Sequence, residues 1–134
     1  MSRNIIIAAV AALVASSIAS VPAEARSRGH SVHAHGPHGH GYNRSRHVSR
    51  QPGHVAVSRN LQTHGGRGHA SNRYANWGNG SYSGGASHVL NNGTSWGRSR
   101  QITNNGDGSY SYNFVRNGPH GGSRSRSGIY TPNH

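Results

Sequence analysis

The chain has no cysteine, no lysine and only two carboxylate side chains, Glu24 and Asp107. The lack of cysteine excludes a disulfide staple, a thiolate metal site and a thiol nucleophile. It also removes any lipobox cysteine behind the amino-terminal apolar run. Hydrolysis by paired carboxylates needs two acids, and a Ser-His-acid triad needs an orienting group on a rigid scaffold. Asp107 stands directly before Gly108, an ordinary turn pairing, so it is a weak candidate for that role. The glycine-rich GGRGHA (65–70) lacks the strand-then-helix pattern of a phosphate loop or dinucleotide fingerprint. The chain is therefore expected not to be an enzyme and to have no small-molecule substrate.

Long hydrophobic runs are also missing, except at the start. Arg3, the apolar run Ile5 to Ala15, Pro22 and the small-x-small Ala23-Glu24-Ala25 follow the order of a helical secretory signal peptide. The reading places the signal over residues 1–25, with cleavage after Ala25 and export to the periplasm or beyond. The alternative, an uncleaved anchor, needs about 20 apolar residues, and this core is shorter.

After residue 25, Leu, Ile, Val and Phe total eleven in 109 residues. That is half the roughly 20% below which a highly charged chain is expected to stay disordered. Folding must offset about 1–2 kcal/mol of backbone entropy per residue, and little apolar surface exists to do so. A mostly disordered, low-complexity chain is expected.

What is present falls into two zones. Residues 26–73 carry nine of the twelve histidines among arginine, glycine and serine, without helical or strand periodicity, and are expected to be disordered. Within them His47-Val48-Ser49-Arg50 echoes in His54-Val55 and Val57-Ser58-Arg59. Residues 74–134 hold eight of the nine aromatics that follow the signal. Here NWGNGSYS (76–83) matches NNGDGSYS (104–111), and Asn-Gly recurs at 79, 92, 105 and 117. Asn-Gly and Asp-Gly favour tight hairpin turns, and SYSYNFV alternates Tyr110, Tyr112 and Phe114 with small polar residues. The reading is a marginal β-hairpin or β-meander confined to this C-terminal half, since about three repeats are needed for a stable stack.

NGDGSYSYNFVRNGPHGGSRSRSGIYT (105–131) resembles the degenerate tandem units of small secreted bacterial proteins rich in Gly, Ser, Thr and Arg. Those units carry a similar DG-[ST]-Y, then GP-x-G, then an Arg/Ser run ending in glycine. The likeness covers about the last third of the chain and implies no activity.

Two chemistries remain. His33, His35, His38 and His40 cluster with spacing that lets alternate imidazoles share one side of an extended chain. Such a set suits Cu, Ni or Zn, although no cofactor is required. The second chemistry rests on four Arg-Ser-Arg triplets: Arg26 and Arg28, Arg44 and Arg46, Arg98 and Arg100, Arg124 and Arg126. Arginine binds phosphate and sulfate bidentately and stacks on aromatic rings. With thirteen arginines against Asp107, the exported chain carries a net charge of +12 that attracts polyanions.

The favoured expectation is a small exported envelope or matrix protein that holds polyanions by multivalent Arg/His contacts. Lipopolysaccharide or other anionic lipids, acidic polysaccharide and extracellular DNA are the candidate partners, with protonated histidine strengthening binding as pH falls. The runner-up is a periplasmic metal binder. The third is a self-associating matrix protein with Tyr110, Tyr112 and Phe114 as its core.

Overall fold

Turns divide residues 26–130 into eight extended runs. These are β1 (Arg26–His35), β2 (Gly41–Gln51), β3 (His54–Thr63), β4 (Gly68–Gly78), β5 (Ser81–Leu90), β6 (Ser95–Asn104), β7 (Tyr110–Asn117) and β8 (Ser123–Tyr130). The computed structural model describes residues 25–132. Apart from Ala25, the expected signal peptide lies outside them.

Two hairpins are closed by two-residue loops whose chemistry is legible in the sequence. Between β2 and β3, Pro52 supplies the fixed φ of the first turn position and Gly53 the left-handed second, at φ 71°. Between β4 and β5, Asn79 and Gly80 are both left-handed, at φ 49° and 70°, the backbone of a type I′ turn that matches strand twist. The remaining hairpins use loops of four or five residues. In the β6–β7 loop, the Ser109 hydroxyl and backbone N–H both donate to Asp107 Oδ1, at 2.6 and 2.8 Å. The hydroxyl bond, then the backbone bond, hold the Asp107 carboxyl below its usual pKa.

All eight strands pair antiparallel with their sequence neighbours in one open sheet, ordered β1 to β8. Each pairing runs in unbroken register over eight to ten residues. Only β1 and β8 are edges.

This architecture corrects the expectation of a mostly disordered, low-complexity chain. Strands β1, β2, β3 and part of β4 occupy residues 26–73, the zone expected to have no structure, and the meander is not confined to the C-terminal half. The physical reason is that the sheet is built with almost no core. Among the described residues, Ile102 is the one buried hydrophobic side chain, so a count of apolar residues misjudges it. Each strand instead satisfies its backbone donors and acceptors on its neighbours, as in quasi-one-dimensional repeat folds.

Side chains lying flat on the sheet supply part of the packing. A methyl group on Gly85 would meet the Tyr74 ring of its cross-strand partner at 2.7 Å, and one on Gly128 would meet the Tyr112 hydroxyl at 2.7 Å. The tyrosines thus cover glycines on adjacent strands, a known way of stabilising glycine in sheets.

Candidate functional site

Directly opposed residues in an antiparallel sheet project to the same side, and alternate residues along a strand do likewise. Following the pairings from Ile102 through all eight strands therefore divides the sheet into two faces.

One face carries Arg26, Arg28, Arg44, Arg46, Arg50, Arg59, Arg73, Arg98, Arg100, Arg116, Arg124 and Arg126. These are twelve of the thirteen arginines that follow Arg3. The exception, Arg67, is in the β3–β4 loop. The same face has eight of the nine aromatics of residues 26–134, Tyr74 being the exception. Among the described residues, no strand contains a carboxylate side chain.

The opposite face is mostly serine, asparagine, glycine and alanine. It also holds His33, His35, His47 and His54. In every Arg-Ser-Arg triplet both arginines take the first face and the serine takes the second. The triplets are thus strand segments of period two, with arginine in place of the usual apolar residue.

Two dense patches result. At one end Arg98, Arg116 and Arg124 stand side by side on β6, β7 and β8. The adjoining row reads Arg100, Phe114, Arg126, so Phe114 sits between two guanidinium-bearing chains. Neighbours across the strands are about 4.8 Å apart, and alternate residues along a strand about 6.7 Å. At the other end Arg26 opposes Arg50, and Arg46 opposes Arg59. All the arginines on this face are exposed except Arg100, which is half-buried. Shallow clefts open over both patches. Like charges directly opposed destabilise a sheet, and among the described residues no acidic side chain on this face neutralises them.

Between the patches the rings of His69, His88 and Trp96 lie nearly parallel. Centroids are 5.1 Å apart for His88–Trp96, 5.3 Å for His69–His88 and 5.9 Å for His69–Trp96. His69 Nε2 and His88 Nδ1 share a hydrogen bond of 3.1 Å. Burial, then His69, Arg73 and Arg98, push the His88 pKa below 6.5.

The eight arginines singled out from the triplets are brought onto one face, and Arg50, Arg59, Arg73 and Arg116 complete it. These four were missed because each stands alone in sequence. Strand parity is the signal that would have found them. The four clustered histidines are not gathered together. His33 and His35 share the polar face of β1, with His33 Nδ1 2.7 Å from Asn43 Oδ1 and the His35 ring 5.1 Å from that of His64. His38 lies in the 3-10 turn Pro37–Gly39 and His40 follows it. Among the described residues, no three potential ligands converge on a metal position. Tyr110, Tyr112 and Phe114 share the arginine face, with the Tyr112 and Phe114 rings 5.4 Å apart. Their strand, β7, is paired on both sides, so free backbone edges lie at β1 and β8.

The fold and face together define an open, nearly coreless antiparallel meander with one cationic face. No protein-family model matches the chain, and neither curated proteins nor solved structures give a match.

Proposed function

We propose that the protein is an exported, non-catalytic binder of polyanions, and that the arginine face is where it holds them. The observation that carries this reading is the segregation of twelve arginines onto one side of a sheet with no acid among its strands. Such a face repels itself until a polymer of opposite charge covers it. Arginines in successive rows can each meet a phosphate or sulfate of a polymer laid across the sheet, and interleaved aromatics add stacking surface for sugars or bases. Anionic polymers and lipids of the cell exterior are the partner class that an exported chain meets.

Histidine contributes unevenly. His30, His69 and His88 share the arginine face, whereas His33, His35, His47 and His54 lie on the opposite side.

The test is a titration of isotope-labelled protein with heparin, following arginine Nε–H signals at two salt concentrations. Signals from the twelve face arginines are expected to move, Arg67 to stay, and affinity to fall steeply with salt as counterions are released. Equal movement of Arg67 and of the serine-rich face would refute the assignment.

A further inference from the structure

One point on the arginine face has a different shape from the rest. Ser71 on β4 is a small residue surrounded by long ones. Its cross-strand partners are Arg59 on β3 and His88 on β5, and its neighbours along the strand on the same face are His69 and Arg73. These five residues, with Leu61 beside them, line one cleft. Ser71 is 6% exposed, so it forms the floor and the longer side chains form the wall.

The wall is set for a particular ion. Arg59, across on β3, and Arg73, two residues along β4, bring guanidinium groups to adjacent sides of the floor, each able to hold two oxygens of a tetrahedral anion. The Ser71 hydroxyl adds a donor from below. The histidine side is held in place, because His69 and His88 are hydrogen-bonded to each other and Trp96 stacks on both. Two neutral imidazoles carry two N–H groups, and one is used in their shared bond. Whichever tautomers they adopt, the pair keeps one outward N–H and one bare nitrogen. A phosphate monoester carries oxygens to accept the first and, in the singly protonated form that prevails below its second pKa near about 6, a hydroxyl to donate to the second. A sulfate monoester has no such hydroxyl. Leu61, 39% exposed, gives the carbon side of the ester an apolar neighbour.

We propose that the hollow over Ser71 is a phosphate monoester site, taking a terminal or branch phosphate end-on while the polymer lies across the arginine rows. The proposal lies within the arginine face and rests on the polyanion reading, but it makes a separate demand: the low point over Ser71 distinguishes a phosphate end from a phosphodiester chain.

The probes are phenyl phosphate, phenyl sulfate and an oligothymidylate with unphosphorylated ends, titrated into the full folded chain. Phenyl phosphate is expected to move Arg59, Arg73, His69 and His88 signals saturably, and phenyl sulfate to bind several-fold more weakly. Ser71→Leu raises the floor of the hollow and keeps every arginine and histidine in the sequence. It is expected to weaken phenyl phosphate at least tenfold while changing oligothymidylate binding by less than about twofold. Ser71→Ala, which keeps the backbone and the space, is expected to weaken phenyl phosphate about tenfold or more, the effect of one hydrogen bond to a charged group. Undiminished phenyl phosphate binding in both variants would overturn the site. So would phenyl sulfate binding as tightly, or equal movement of Arg98, Arg116 and Arg124 at the same phenyl phosphate concentration. Loss of oligothymidylate binding by the unaltered protein would instead refute the face reading, so the two failures are distinguishable.

Discussion

Arg116 stands on β7 with Arg98 of β6 on one side and Arg124 of β8 on the other, so Arg116→Gln removes the middle charge of three. A like-charge cross-strand pair costs roughly 0.2–1 kcal/mol, and two such pairs disappear. Exposure and screening place the gain in fold stability near the lower end, about 0.5–1 kcal/mol at low salt. For a domain of this size that is a rise in Tm of roughly 2–8 °C. Binding moves the other way. Losing one neutralised phosphate lowers the slope of log affinity against log salt by about 0.7–0.9, and low-salt affinity for a polyanion falls roughly three- to tenfold. Circular dichroism melts at low and high ionic strength, with binding isotherms over the same range, read both effects. The stability gain is expected to vanish once the Debye length falls to about 3 Å near 1 M salt. A lower Tm at low salt, or an unchanged salt slope, would refute the claim that this row is a strained cationic array completed by its ligand.

Two further predictions concern the sheet itself. Gly97 pairs with Ser87, and a Cβ there would meet the Ala86 carbonyl oxygen at 2.7 Å, so Gly97→Ala is expected to cost about 1–3 kcal/mol in urea unfolding. Gly122→Ala meets nothing within 4 Å and is expected to stay within about 0.5 kcal/mol of the parent; equal effects would contradict the register. His88 has its pKa held below 6.5 in the fold, first by burial and then by His69, Arg73 and Arg98. The unfolded chain therefore binds that proton more readily, so this part of the stability is full above pH 6.5 and is lost as pH falls through the folded pKa. The urea midpoint should drop between pH 7.5 and about 5 less in His88→Gln than in the parent, and an identical drop would remove His88 from the account.

The local punctuation of the fold was legible in the sequence, and its overall structure was not. Asn79-Gly80 reads as a tight turn and is one, and the Arg-Ser-Arg triplets read as paired cations and share a face. The strands of residues 26–73 were hidden because their alternation is between arginine or valine and serine or histidine. Arg44-Ser45-Arg46 looks like a charge run unless it is read with period two. The sheet sets Val55 and Val57 beside Arg50 and Val48 of β2 and Ala75 and Arg73 of β4. Long-range register decides this, and single-strand periodicity does not contain it. The hollow over Ser71 was equally invisible, since its wall comes from three strands.

The central claim is that the arrangement of the arginines, beyond their number, makes the binding surface. A composition-preserving exchange tests it: Arg98→Ser, Ser99→Arg, Arg100→Gln, Gln101→Arg, Arg124→Ser, Ser125→Arg, Arg126→Ser and Ser127→Arg in one chain. Net charge and amino-acid content stay the same, and four arginines move to the opposite face of β6 and β8. With the sheet confirmed by amide exchange, heparin affinity at moderate salt is expected to fall at least tenfold and the salt slope to become shallower by about 3, four contacts at roughly 0.7–0.9 each. Unchanged affinity and slope would mean that charge alone drives binding, and the arginine face would then not be its site.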